Sequence, residues 1–341
     1  MAARRSHPKV RPAKIIGYSG KRIVSHPSIE AARNGFFKKE RKAIDGEAPK
    51  DFLRIYEYGE ARKLSSDKWP AYIAKVGQKW YPNESITEHL LTRIGQSFGF
   101  TMAESRLMWV KGQLRFLSRY FLKSNESLVH GAEIFGNYLS DPKFVEEVEA
   151  ENESRNIFTF QCVEDAIHSI FPDEAREIMG QFVRLLGFDA LVGNNDRHFY
   201  NWGVIEDVRG KNAPRLAPIY DSARALFWNN PDQFLYEQAH SKDLKRREHF
   251  MRKYVENCQP KTGWDGMGAP NHFELIENIA KRDEHYLKIL ESVIPSSIEK
   301  SLIFLFEGEF KGLLSSERQS FMVECLVERR SRLRSVLDIL S

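Results

Sequence analysis

Two short apolar runs, Asn201-Trp202-Gly203-Val204-Ile205 and Leu216-Ala217-Pro218-Ile219, flank the polar turn Arg209-Gly210-Lys211-Asn212, a pattern that folds as a hairpin. Pairing the strands dictates where two polar side chains end up. Asn201 opens the first strand and Asp221 follows the second, in Pro218-Ile219-Tyr220-Asp221-Ser222, so both stand at the open ends. Just upstream, Asp196-Arg197-His198-Phe199-Tyr200-Asn201 follows the polar run Gly193-Asn194-Asn195. A helical pattern over 173–191, with Ile178, Phe182, Leu185 and Leu186 on one face, precedes that run. A helix ending near Gly193 would deliver Asp196 to the hairpin from a rigid support. Either fragment alone reads as a loop or a turn. Together they gather two carboxylates and an amide.

That set suits phosphoryl transfer, where the protein's work is to place an acceptor hydroxyl in line and to neutralise phosphate charge. Asp196 fits the base or acceptor-orienting role, because a carboxylate within hydrogen-bond reach accepts the hydroxyl proton. Asn201 and Asp221 offer an amide oxygen and a hard carboxylate. Both are ligand types that Mg²⁺ takes, with phosphate oxygens and water completing its octahedron.

A second cluster lies in the first third of the chain. Ala71-Tyr72-Ile73-Ala74-Lys75-Val76 is β-prone and carries one lysine, and Ser85-Ile86-Thr87-Glu88-His89-Leu90-Leu91 begins a helical stripe that continues through Ile94 and Phe98. A strand lysine facing a helix glutamate would hold its ammonium toward nucleotide phosphates. Ser85-x-x-Glu88 also reads as a capping box, in which the glutamate serves only the helix start.

The remaining pattern divides the chain into segments 1–15, 16–119 and 120–341. Strand signals at 53–58, 72–76, 105–110 and 114–117 with one good helix make the second segment a small β-rich lobe. After it, helical patterns over 173–191, 272–293 and 297–340 build a larger helical lobe. The expected class is therefore α+β with two lobes. With 341 residues, 42% of them hydrophobic, the chain can bury one or two sizeable cores. No run approaches the roughly 18–20 apolar residues of a membrane span and no signal h-region opens the chain, so a cytoplasmic location is expected. Cys162, Cys258 and Cys325 are odd in number and far apart, which argues against a disulfide framework or a Cys-x-x-Cys metal site. Net charge is only +4, but Arg4, Arg5, Lys9, Arg11, Lys14, Lys21 and Arg22 precede the first acid, Glu30. That is enough for nonspecific attraction to polyanions, or simply a solvated tail. Glu146, Glu147, Glu149, Glu151 and Glu153 look too dense in like charge to pack, so an exposed helix end or loop is expected there.

Lys75, Glu88, Asp196-x-x-x-x-Asn201 and Asp221, in this order, resemble the HipA-like kinases, bacterial serine/threonine protein kinases of toxin-antitoxin systems and their stand-alone relatives. The resemblance implies a two-lobed protein-kinase-like fold and an ATP- and Mg²⁺-dependent kinase. Asp196 would be catalytic, Asn201 and Asp221 would bind Mg²⁺, and Lys75 would contact nucleotide phosphates. It further implies that His198 braces the loop and orients Asp196, and that Tyr58-Gly59-Glu60-Ala61-Arg62-Lys63 is the phosphate-binding loop, with Gly59 and Lys63 as its binding groups. Ala61 stands there where glutamine is common; Ser65 and Ser66 nearby read as a plain turn. Leu117-Ser118-Arg119-Tyr120-Phe121 would be the hinge, Arg119 and Phe121 lying beside the adenine. Arg197 either neutralises a phosphate or pairs with an acid. A protein substrate, such as a translation factor or the chain itself, and an antitoxin partner are what the resemblance implies. The chain is shorter than full-length family members. Asp-Arg-His-x-x-Asn is also similar to the catalytic loop of phosphoinositide kinases, which keeps a lipid or small-alcohol acceptor as an alternative. A groove near Ala225-Leu226-Phe227-Trp228-Asn229-Asn230 would favour a peptide. A nucleotide-holding pseudokinase with a nucleic-acid-binding N-terminus is the non-enzymatic alternative.

Overall fold

The computed structural model describes residues 20–41, 50–75, 77–151, 153–338 and 340; the basic segment 1–15 and Val76 lie outside them. The β-prone segments pair as an antiparallel sheet of β1 (Phe37–Glu40), β2 (Lys50–Ile55), β3 (Ala71–Lys75), β4 (Ser105–Val110) and β5 (Gln113–Arg119), in the order β1-β2-β3-β5-β4. Lys111 and Gly112, both at positive φ, close the tight β4–β5 hairpin whose last pair is Val110–Gln113. Strand alternation sends Tyr72 and Ala74 of β3 to one face, where they join Leu53, Ile55, Met108, Val110 and Leu117 in a small core. Ile73 and Lys75 therefore point to the opposite face. The second strand ends earlier than its pattern suggests: Tyr56–Glu60 turns away and Tyr58 is 95% exposed.

The face carrying Lys75 is covered by α1 (Asn83–Ser97). Ile86, Leu90, Leu91 and Ile94 form its apolar stripe, yet Asn83, Thr87, Glu88 and His89 are buried as well. The helix lies between the sheet and the rest of the molecule, and its polar side chains bond across that junction. Asn83 Nδ2 donates to Trp228 O (2.5 Å), and His89 spans Ser105 Oγ and Glu309 Oε1, both at 2.8 Å. The expected capping box does not form. The helix starts earlier, with Pro82 at its N-cap, and Glu88 lies beyond the first turn with its side chain in the interior.

After Arg119 the chain passes into a mainly helical body. Its elements are β6 (Glu126–His130), α2 (Gly131–Leu139), α3 (Pro142–Ala150), α4 (Ser154–Ile157), α5 (Phe160–Ile170), α6 (Ala175–Val192), β7 (Gly203–Asp207), β8 (Arg215–Leu216), α7 (Asp232–Ala239), α8 (Leu244–Glu256), α9 (His272–Arg282), α10 (Glu284–Val293), α11 (Glu299–Glu307) and α12 (Ser316–Asp338). β7 pairs antiparallel with both β6 and β8, the second pairing being the hairpin read from the sequence. Apolar side chains all round α6 make it the central helix, packed by α5, α9, α10 and α12. The main core runs without interruption from Leu90 and Ile94 of α1 through α6 to Leu326 and Leu333 of α12.

Two expectations are corrected here. The acidic stretch does pack: α3 buries Val145 and Val148 against the main core while Glu146 and Glu147 stay exposed. The pattern over 272–293 is two helices, because Asp283 is extended (ψ 129) and caps α10 by accepting from His285 N. No described helix is long and apolar enough to cross a membrane.

Candidate active site

Gly193 ends α6 in the left-handed conformation (φ 72), which turns the chain out of the helix into the loop 194–201. Asn194 is buried and donates to Asp189 Oδ1 (2.9 Å), and its own Oδ1 accepts from Asp196 N (3.3 Å). Asn201 Nδ2 donates back to Asp196 O (2.8 Å), so both ends of the loop are tied. Arg197, 2% exposed, lies beneath. It pairs with Asp189 through two bonds of 2.8 and 2.9 Å, and donates to Asn201 O (2.8 Å), Tyr220 O (2.5 Å) and Ser222 Oγ (2.8 Å). Of its two readings, pairing with an acid is the one the structure adopts. One guanidinium thus joins the Asp196 loop to the turn carrying Asp221.

Asp221 sits at φ 53, unusual for a non-glycine residue and a kind of strain that gathers at functional sites. Its Oδ1 accepts from Lys75 Nζ at 2.5 Å, and Lys75 also donates to Glu88 Oε1 at 2.7 Å. Three residues remote in sequence therefore meet on one ammonium. Burial alone would lower Lys75, but Glu88 and Asp221 more than offset it and hold the ammonium charged above its ordinary range. Burial likewise pushes Asp221 up, yet Lys75, with Lys50 and Arg197, brings it down to about 2. For Glu88 burial wins over Lys75, and its carboxyl rises to about 7. Glu88 Oε2 is buried with no hydrogen-bond partner.

Asp196 is raised above the ordinary aspartate value by burial, against the pull of Arg224, whose Nη1 lies 3.2 Å from its Oδ1. His198 braces the loop as expected, its Nδ1 accepting from Tyr200 N (3.3 Å), while Arg224 is the residue that bonds the Asp196 carboxylate. Lys50 is a further group that sequence reading passed over. It stands directly opposite Lys75 in the β2–β3 register, and its Nζ is 3.7 Å from Asp221 Oδ2.

The two expected phosphate-loop residues do not join this cluster. The register pairs Arg54 with Ala71, so the β2–β3 connection leaves the end of the sheet away from Lys75, about 13 Å along the strand. Gly59 there has open space around it, and Lys63 Nζ sits 4.3 Å over the Phe36 ring. The connection flanking Lys75 is the one between β1 and β2, of which residues 42–49 lie outside the described residues. Phe121 does lie beside the site, its ring centroid 5.8 Å from that of Tyr220. Arg119 is turned to the surface and pairs with Glu60 (3.0 Å) and Glu104 (3.1 Å). Ala225, Leu226 and Phe227 are buried in the core, while Trp228, Asn229 and Asn230 reach the surface.

The donor chemistry matches Mg²⁺. Asn201 uses its amide nitrogen on Asp196 O, which leaves its oxygen for a hard cation, and the Asp221 side chain keeps 24% exposure. Among the described residues no three His, Cys, Asp or Glu side chains form a metal cage. Asn201 and Asp221 would be the protein's share of a site completed by phosphate oxygens.

A five-stranded antiparallel sheet with one helix on its lysine face, joined to a larger helical body that carries the Asp196 loop, defines a two-lobed kinase-like fold. Residues 43–295 match the HipA-like C-terminal domain family, and the chain belongs to that family. It is similar to the serine/threonine-protein kinase CtkA of Helicobacter pylori, 25% identical over 160 residues that make up 47% of this chain and 46% of the relative. The match thus spans about half the length of that curated relative. The crystal structure of the Helicobacter pylori proinflammatory kinase CtkA superposes with a TM-score of 0.70 at 18% identity, over 92% of this chain and 97% of that one. HipA from the Shewanella oneidensis complex of HipA, HipB and operator DNA superposes with a TM-score of 0.51 at 15% identity, over 93% of this chain and 68% of that one.

Proposed function

We propose that this chain is a kinase that uses ATP and Mg²⁺ to phosphorylate a serine or threonine hydroxyl of a protein, itself included. The observation that carries the reading is the shared ammonium: Lys75 from β3 reaches Glu88 of α1 at 2.7 Å and Asp221 at 2.5 Å. Arg197 ties the Asp196–Asn201 loop to the same turn. Kinship to a serine/threonine-protein kinase supports the choice of acceptor class.

In this reading Lys75 and Lys50 hold phosphate oxygens, and Glu88 keeps the Lys75 ammonium aimed. Asn201 and Asp221 would hold Mg²⁺, which when bound would supply charge neutralisation for the transferred group. Asp196 accepts the proton of the acceptor hydroxyl, and its raised pKa makes it a better base than a free aspartate near neutral pH. The segment at Phe121, whose ring lies 5.8 Å from that of Tyr220, would meet the adenine.

The test is phosphate transfer from labelled ATP by the purified chain. Asp196→Asn is expected to lower the rate by roughly 10²–10⁴-fold while circular dichroism stays unchanged. Transfer at the wild-type rate by that variant would overturn the assignment.

A further inference from the structure

Helix α8 presents two unlike faces. Its inner side packs Phe250 and Tyr254 onto Phe227, six residues beyond Asp221: the Tyr254 and Phe227 rings stack at 3.9 Å, and Phe227 N donates to Tyr254 Oη at 2.5 Å. Its outer side is basic, with Lys245, Arg246, His249, Arg252 and Lys253 all exposed. Between this face and α12 runs an open groove of about 1030 Å³, walled by α8 and by Glu324, Glu328 and Arg332. Arg247 is committed to Glu324, and Arg332 to Glu328 (2.7 Å) and Glu256 (3.2 Å). Lys245, Arg246 and Lys253 have no carboxylate partner among the described residues. Beyond its C-terminal end, Cys258 Sγ donates to Gly193 O (3.0 Å), where the Asp196 loop begins, and the charge of Lys261 acts on Asp196 itself. The helix that carries the basic face therefore ends near the start of the Asp196 loop, and its first turn lies about 20 Å back along the axis.

We propose that the outer face of α8 and its groove against α12 dock an acidic segment of the protein whose hydroxyl is phosphorylated. This rests on the kinase reading. Charge decides the occupant. Unpaired cations attract carboxylates, while the ion-paired Glu324 and Glu328 and the exposed Glu248 break the positive surface into separate patches too short for a continuous phosphate backbone. A protein segment mixes acids with an occasional lysine or amide and satisfies both kinds of group. A nucleic acid does not.

The probe is a fluorescent serine peptide flanked by Asp and Glu, compared with the same peptide carrying Asn and Gln. Binding is read by anisotropy without ATP, and phosphate transfer is read separately. The acidic peptide is expected to bind about tenfold more tightly, and the difference to shrink as salt rises. The exposed reversal Lys245→Glu, Arg246→Glu, Arg252→Glu removes the preference and leaves the KM for ATP unchanged. Equal binding of the two peptides overturns the proposal, as does a preference that survives the reversal. Tighter binding of a single-stranded RNA that displaces the peptide overturns it too. Acidic-peptide binding without any transfer supports the docking face and sinks the kinase reading; transfer without an acidic preference does the opposite.

Discussion

Glu88 and Asp221 share one ammonium, and their carboxyls move in opposite directions. Asp221 lies below the unfolded value of 3.8, at about 2, so the stability it contributes is complete above pH 4 and disappears as pH falls toward 2. The effect is at most about 2.5 kcal/mol, and Asp221→Asn should remove it from a melting-temperature profile. Glu88 lies above 4.5, at about 7, so its contribution is present below pH 4.5 and fades as pH rises through 7. A Glu88→Gln variant should flatten that upper slope. Because burial raises Asp196, the acid limb of the transfer rate should lie above the ordinary aspartate value of 3.8; a limb at or below it contradicts the role of Asp196 as base. Asp196, Asn201, Asp221 and Lys75 were legible because each polar group interrupts or closes an apolar pattern. Lys50 and Arg224 were not. A lysine opening a strand and an arginine in a loop look like solvent-facing residues until strand register and loop packing place them. The loop-bracing role that the resemblance implied for His198 is met through Tyr200 N, but which group bonds the Asp196 carboxylate, Arg224, was not readable.

Among the helices, α6 and α12 determine where the Asp196 loop begins. Arg329 of α12 is fully buried, has no carboxylate partner among the described residues, and donates to Ala190 O and Val255 O, both at 2.8 Å. Those carbonyls end α6 and α8, where a cation is favoured by the aligned peptide dipoles. Arg329→Met should cost about 2–4 kcal/mol in denaturant unfolding, since it leaves two buried acceptors unpaired. Gly193 needs its left-handed φ, and a Cβ there would stand 3.2 Å from the Arg329 guanidinium. Gly193→Ala should destabilise by about 1 kcal/mol or more and lower transfer further than its stability loss explains. The helix boundaries were less legible than the helices. Ser85-x-x-Glu88 carries a capping signature, but tertiary burial claimed the glutamate. Asp283 broke a continuous apolar period that gave no sign of two axes.

The division into a strand-rich part and a helical part was readable from the change of period near Arg119. The continuity of the core between them was not, because α1 alone looks like a helix of the sheet lobe. Its packing against α11, and its place with α6 and α12 in one apolar cluster, predict a single cooperative unfolding transition by calorimetry instead of two. Mg²⁺ with a non-hydrolysable ATP analogue at 100 times its Kd should add about 2.7 kcal/mol of stability. Asp221→Ala should lose most of that gain. Arg197 draws the sharpest consequence from this architecture. Since one side chain grips both arms of the site, a screen for variants that fold but fail to transfer phosphate should recover Arg197 substitutions among its null alleles, although the guanidinium is spent on Asp189, Asn201, Tyr220 and Ser222. Second-site suppressors confined to either arm should never restore them.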